Sequence, residues 1–430
     1  VTALEPDEVL SKGRLVRIGV AAALISRIFG RLVGIILVVV LARVADPATV
    51  ALYGFLLGTV TLMASLTDLG VASLAGRDVA AKVAAAPAAL RSALGPQALS
   101  TVVAVVLTCV VAVLAGPAGV EASVLVPCSV FVVANSVFNL WAEVLRGDGK
   151  VVLEGVLQGV GAMLLVTAGS LAVLAGAGIV PLLWIVAGKE IVVLAVATVW
   201  LRPGARTDAG PSFGALVRRS AWLAVAGTAL VLLWRQGTLL VSGMASTRDL
   251  ADYVVATRLL DASVTLAHTL GIGLFPGIAA LAAEAPGAAR AHARRYLVAV
   301  LGLSVPVAAL GVLLAGPVTT GVFGGQWQSA VPAVRVLAAI TPLILLGYLL
   351  WFVLLAEGQE RWLCVGALAA AGTSVGVTAV LLAVEPGAAA GAWGTGAGAL
   401  VLAVVLAIRF TTTRASRRAP VEVPRAGDAP

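Results

Sequence analysis

Apolar runs, each about twenty residues long and cut by short polar or Gly/Pro turns, follow one another along nearly the whole chain. They lie at 18–43, 51–75, 97–115, 122–145, 152–176, 179–201, 217–242, 250–275, 294–316, 331–356, 361–384 and 388–409. A hydrocarbon core about 30 Å thick takes about twenty helical residues, so each run predicts a membrane-spanning helix. A β-barrel would instead alternate apolar and polar positions over strands of about ten residues. The pattern predicts an all-α polytopic membrane protein of about twelve helices.

Charge placement supports that count. Membrane proteins concentrate Lys and Arg in cytoplasmic connections. Alternate connections here hold Lys12, Arg14 and Arg17; Arg77, Lys82 and Arg91; Arg146 and Lys150; Arg202, Arg206, Arg218 and Arg219; Arg290, Arg294 and Arg295; Arg361; and a tail with Arg409, Arg414, Arg417, Arg418 and Arg425. The opposite connections hold only Arg43, Arg248 and Arg335. An even number of spans with both termini cytoplasmic follows. The first run is too long for a signal-peptide core and ends in Arg43-Val44-Ala45-Asp46, so it is expected to stay in the membrane.

Composition excludes a large soluble globule. Of 430 residues 60% are hydrophobic and 12% charged, against roughly 45–50% and about 25% in soluble domains. The net charge is +8, and only four of the cations are lysines (Lys12, Lys82, Lys150, Lys189), an Arg bias that points to a GC-rich bacterial genome. Cys109, Cys128 and Cys364 sit inside apolar runs with neither metal-site nor disulfide spacing. His268 and His292 are far apart, so no metal or other cofactor is implied. The polar, Pro-rich segment 411–430 reads as disordered, its arginines serving topology and anionic lipid rather than nucleic acid. Residues 75–95 read as a short cytoplasmic surface helix.

A shift of 200 residues lays the seventh run on the first, pairing Ala45 with Ala245, Ala51 with Ala251, Tyr53 with Tyr253 and Leu66 with Leu266. Six spans per half gives a parallel repeat, an arrangement in which substrate binds between halves that rock against each other. The organisation expected is a segment 1–17, a six-helix bundle 18–201, a linker 202–216, a second six-helix bundle 217–409 and a tail 410–430.

Charges inside the runs are the candidate chemistry, because Arg at a bilayer centre costs about 2.5–3.5 kcal/mol on insertion scales. Arg27 and Arg31 are four residues apart on one face of the first run, beside Gly30 and Gly34. Two readings fit them, a buried ion-pair network with Asp68 as partner, or a cationic wall for an anionic substrate; we take the second. Arg235, shifted by 200, falls one turn beyond Arg31, so both halves present Arg to one cleft. Arg258 and Asp261 have the spacing of an ion pair. Lys189 and Glu190, being adjacent, point about 100° apart and should not share a neighbour. Arg335 is near enough to the outer surface to snorkel, and Glu143 and Glu154 flank the basic turn as interfacial residues. Trp234, Tyr348 and Trp351 can stack on a sugar, though packing explains most membrane aromatics. Arginine stays protonated and favours phosphate or carboxylate. In a bilayer cleft the fitting anion is a lipid phosphate or diphosphate.

Three stretches carry a resemblance: "VVVLARVADPATVALYGFLLGTVTLMASLTDLGVASLAGRDVA" (38–80), "LLVSGMASTRDLADYVVATRLLDASVTLAHTLGIGLFPGIAAL" (239–281) and "VFGGQWQSAVPAVRVLAAITPLILLGYLLWFVLLAEGQER" (322–361). The chain resembles polysaccharide (oligosaccharide-lipid) flippases of the multidrug/oligosaccharidyl-lipid/polysaccharide exporter superfamily. The resemblance implies a V-shaped transporter of two bundles that moves an undecaprenyl-diphosphate-linked oligosaccharide across the bacterial cytoplasmic membrane. Its partners would be the lipid-linked glycan, membrane lipids, a coupling ion (proton or sodium) and other polysaccharide-assembly membrane proteins. The family often has an acidic residue in the seventh helix, where this chain has Gln236-Gly237-Thr238. The helix pair that ends lipid II flippases of the superfamily is not expected here. On this reading Arg27, Arg31, Arg235, Arg258 and Lys189 bind substrate, while Asp68, Glu190 and Asp261 balance charge or carry the ion. The competing readings are a multidrug or small-solute exporter, whose cationic cargo favours acidic cavities, and a membrane enzyme acting on lipid-linked sugars. The short, charge-poor outer connections disfavour the enzyme.

Overall fold

The computed structural model of the chain describes residues 34–412 apart from 69, 81, 83, 118–119, 203–212 and 285, without the side chains of 68, 213–220, 272, 275–277, 279, 280, 282–284 and 286. These residues form fourteen α-helices and a 3-10 turn, with no strand among them. The helices are α1 (Gly34–Val44), α2 (Pro47–Asp68), α3 (Val71–Ala80), α4 (Ala86–Ala115), α5 (Ala122–Gly147), α6 (Val151–Leu174) and α7 (Ile179–Trp200). The second half holds α8 (Phe213–Met244), α9 (Thr247–Glu284), α10 (Pro286–Phe323), α11 (Val331–Ala339), α12 (Thr341–Ala356), α13 (Glu360–Val384) and α14 (Ala388–Thr412), with the 3-10 turn Gly325–Ala330 between α10 and α11.

Every expected span has a helix in its place. Nine of the described helices are individually long and apolar enough to cross a membrane. The pair α11 and α12, bent by 41°, makes a tenth. Its bend follows from Thr341-Pro342, since proline removes a backbone donor and disfavours helix at the residue before it. α1 is the described part of the first span, and α9 carries Arg248, Asp249, Asp252, Arg258 and Asp261 in its first half. Valine and leucine on α4 and α10, such as Val102, Leu114, Leu303 and Leu313, point outward, as a lipid-facing surface requires.

Two expectations are corrected. The second span ends at Asp68 rather than residue 75, because the chain turns at Gly70 (φ 72°). The surface helix over 75–95 does not form as one element: residues up to Ala80 belong to α3, and those from Ala86 open α4, with a proline in its first turn. α3 is packed rather than superficial. It lies on α5 where two glycines meet, and a Cβ at Gly147 would stand 2.1 Å from the Gly76 carbonyl oxygen.

Helix starts repeat between the halves. Pro47 answers Thr247 and Ala86 answers Pro286, an offset of 200; then Val151 answers Glu360 and Ile179 answers Ala388, an offset of 209. Eight of the nine extra residues lengthen α10 relative to α4, and one falls in the connection that follows. Before α6 and α13 the chain turns on Gly149 (φ 77°) and Gly358 (φ 67°), left-handed positions that favour glycine. Between the halves α2 lies against α8 and α9, and α3 and α4 also touch α8.

Candidate functional site

A cavity of about 970 Å³ lies between the halves, lined by side chains of both. On α5 it runs from Phe131 to Arg146 and on α2 from Tyr53 to Ser65, so it occupies mid-membrane depth and extends to the end marked by the 148–150 turn. That is the end where Arg and Lys concentrate. No described lining residue comes from the 45–46 or 245–246 turns.

The second half contributes a three-membered ion cluster. Asp261 accepts from Arg235 at 2.9 Å and from Arg258 at 3.1 Å. Arg258 is held further by its own helix, donating to the Val254 carbonyl and the Thr257 hydroxyl, each at 3.2 Å. The expected Arg258–Asp261 pair therefore exists, but Asp261 also ties α9 to α8. Both guanidiniums line the cavity, their side chains 16% and 12% exposed.

The first half contributes a chain of polar side chains. Lys189 donates to the Glu190 carboxylate: the flexible lysine stem reaches around the helix although the Cβ directions diverge. Asn135 donates to Glu190 Oε1 at 3.2 Å, and Asn139 donates to Asn135 Oδ1 at 3.0 Å. Further along α5, Glu143 pairs with Arg146 at 2.7 Å. Glu154, expected at the interface, is fully buried in the first turn of α6. Gln158 donates to it at 2.6 Å, and the helix N-terminus favours its charge.

Among the described lining residues four cations (Arg146, Lys189, Arg235, Arg258) meet three anions (Glu143, Glu190, Asp261). The cavity is thus nearly balanced, with its surplus on the α8–α9 wall. Arg27 and Arg31 lie outside the described residues, as does the side chain of Asp68. Arg335 is exposed at the outer end, as expected. Trp234 stacks on Tyr348 at 6.0 Å and donates to its hydroxyl at 3.1 Å, so these rings serve packing within the second half. Gln236 is buried and donates to Ser374 Oγ at 2.8 Å.

At the opposite end the halves cap each other. Arg43, at the end of α1, donates to the carbonyls of Gly321 and of Val322, the latter at 2.7 Å, at the end of α10. In return Gln326 and the fully buried Trp327 donate to the Ala42 carbonyl at 2.6 and 2.9 Å. Arg248 donates to the Gln326 carbonyl and to Ser329 Oγ, its guanidinium carbon 4.9 Å from the Trp327 ring. Helix C-termini leave carbonyls without intrahelical partners, and each half supplies the other's.

Sequence reasoning singled out Arg235, Arg258, Asp261, Lys189 and Glu190, and the structure brings all five to one cavity. It missed Asn135, Asn139 and the capping role of Arg43 and Arg248. The asparagines had a legible signal: 135, 139, 143 and 146 share one face of an otherwise apolar helix.

A family model described as "Polysaccharide biosynthesis protein" matches residues 16–282. No curated protein matches the chain in sequence. Among solved structures, the inward-facing conformation of a multidrug resistance MATE family transporter of the MOP superfamily is similar with a TM-score of 0.71 at 15% identity, covering 89% of this chain and 94% of that one. A MOP superfamily transporter from Pyrococcus furiosus, reported for the reverse polarity of its binding pocket, gives 0.68 at 14%, covering 91% and 95%. Lipid II flippase MurJ in its inward closed conformation gives 0.70 at 12%, covering 90% and 87%. At these identities the likeness establishes the fold.

Proposed function

Because its match spans more than half of the chain, this protein belongs to the polysaccharide biosynthesis protein family of multi-pass membrane transporters, and from that premise we propose that it is a flippase for an undecaprenyl-diphosphate-linked oligosaccharide. The observation that carries the substrate class is the guanidinium pair: Arg235 and Arg258 share one carboxylate on the cavity wall, so one positive charge there is left for an anion. Planar guanidiniums bind phosphate through paired N–H donors. Arg27 and Arg31, four residues apart in the first span, would add positive charge to the cavity, with Lys189 as a weaker contributor because Glu190 already neutralises it.

The fold supplies the transport step. By the charge rule, the cavity reaches the cytoplasmic side, and both termini lie there in a bacterial cytoplasmic membrane. The diphosphate and glycan enter the cavity while the polyprenyl tail stays in lipid. The reciprocal caps around Arg43, Trp327 and Arg248 then separate as the two bundles, 18–201 and 217–409, rock to expose the head group outside. Asp261 balances the guanidiniums when the cavity is empty. The likeness to lipid II flippase MurJ supports a lipid-linked cargo, and the cation surplus argues against the cationic drugs of a multidrug exporter.

The test is leaflet transfer of a fluorescent undecaprenyl-diphosphate oligosaccharide in liposomes, with the wild type beside Arg235→Ala and Arg258→Ala. We expect transfer by the wild type and its loss in both variants while their melting temperatures hold. Full transfer in both folded variants, or none by the folded wild type across a panel of glycans, overturns the reading.

A further inference from the structure

The two walls of the cavity differ in chemistry. The α8–α9 wall carries guanidiniums, whereas the α5 wall carries amides and a closed ion pair. Asn135, Asn139, Glu143 and Arg146 follow at i, i+4, i+8 and i+11, a polar stripe about 16 Å long at the helical rise. Its inner end is anchored. Lys189 donates to Glu190, which is 3% exposed; Glu190 also accepts from Asn135, and Asn135 accepts from Asn139. Such a chain orients each amide, and charge at its root strengthens the bonds beyond. Asn139, at the open end, is exposed to the cavity. One of its N–H groups is committed to Asn135, which leaves its carbonyl oxygen and second N–H side by side.

A donor and an acceptor held side by side match a pair of neighbouring hydroxyls, each of which can give and take a hydrogen bond. A phosphate, which only accepts, would meet the amide oxygen as a repulsive partner. We infer that the α5 stripe is a glycan subsite, with Asn139 as its principal contact, and that the substrate binds in one orientation, sugar toward α5 and diphosphate toward α8 and α9. The inference rests on the flippase reading for the diphosphate and adds where the sugar goes.

Two ligands separate the walls: undecaprenyl diphosphate and undecaprenyl-diphospho-N-acetylglucosamine, titrated against the whole protein in nanodiscs. The sugar is expected to tighten wild-type binding. Asn139→Leu, close in volume but without polar atoms, should weaken the sugar-bearing lipid about five- to tenfold, the worth of one to two net hydrogen bonds, and leave the bare diphosphate unchanged. That unchanged arm also shows that the variant is folded. Arg235→Ala should weaken both ligands. If Asn139→Leu weakens both equally, or neither, the glycan subsite is overturned. If Arg235→Ala leaves bare diphosphate binding intact, the flippase reading fails instead.

Discussion

Replacing Asp261 by asparagine isolates the charge that the cavity uses to balance itself. The carboxylate sits 2.9 Å from one guanidinium and 3.1 Å from the other. A phosphate seated on the free edges of those guanidiniums would lie about 5–6 Å from it, which at an effective dielectric constant of about 20 is a repulsion of about 3 kcal/mol. The Asp261 side chain is 21% exposed, and mobile ions in the water it meets lower that to about 1–2 kcal/mol. Asp261→Asn should therefore bind undecaprenyl diphosphate about five- to thirtyfold more tightly than wild type at low salt, with the gain shrinking as salt rises. Geometry should survive, since asparagine keeps an acceptor for one guanidinium and Arg258 is independently held by Val254 and Thr257. At saturating substrate the tighter complex should flip more slowly, because release becomes harder. Isothermal titration in nanodiscs at two salt concentrations, paired with the liposome transfer assay, measures both effects. Weaker binding by folded Asp261→Asn would refute the reasoning, since it would make Asp261 a positioning group for the anion rather than its competitor.

The reciprocal caps make a second prediction. Arg43→Ala removes the charge-assisted bonds that cross the halves to Gly321 and Val322, so outer-face labelling of Thr61→Cys, in a chain lacking Cys109, Cys128 and Cys364, should rise at least tenfold. Unchanged labelling would mean that the caps do not hold that end shut. A third concerns Asp46, whose carboxylate accepts from the Thr49 backbone N–H at 2.8 Å and from the Thr49 hydroxyl at 3.0 Å as the cap of α2. The Thr49 N–H lowers its pKa below the ordinary 3.8 against an opposing effect of burial. The cap thus stabilises the fold above pH 3.8 and is lost as pH falls through the lower folded value. Asp46→Ala should cost about 0.5–2 kcal/mol at pH 7 in unfolding assays, and its difference from wild type should shrink as acid protonates the carboxylate; a difference that stays the same through the acid range contradicts the charge's part in the cap.

Hydropathy made the helices legible because in lipid every backbone polar group must be satisfied within its own segment. Where expectation failed, local geometry outweighed hydropathy. A window average runs through Gly70, but a left-handed residue ends the helix there. Glu154 looked interfacial from its distance to "RGDGK", yet the fold closes Gln158 and the end of α5 over it. Lys189 and Glu190 diverge at their Cβ atoms, as adjacent helical residues must, yet the four-carbon lysine stem lets the two pair with each other. Arg43 and Arg248 looked like exceptions to the charge bias. Their reason is tertiary: Arg43 meets a helix end of the opposite half and Arg248 braces the 3-10 turn of its own half, and no spacing along the chain encodes either.

The repeat and the charges tell different stories. At the offsets that align helix starts, Arg235, Arg258 and Asp261 correspond to Ile35, Gly58 and Thr61, while Lys189 and Glu190 correspond to Gly398 and Ala399. Among the described residues the two halves therefore share a scaffold and not a binding chemistry. A small symmetric solute would gain nothing from such a division, since each wall would meet the same ligand. A two-ended substrate would, because an anionic linkage and a hydroxyl-rich head need opposite partners, guanidinium on one side and oriented amide on the other. The asymmetry also fixes which part of the substrate each half carries when the halves rock, so exchanging Asn139 for arginine should let the diphosphate bind in either sense and reduce net transfer without reducing affinity for the bare lipid diphosphate.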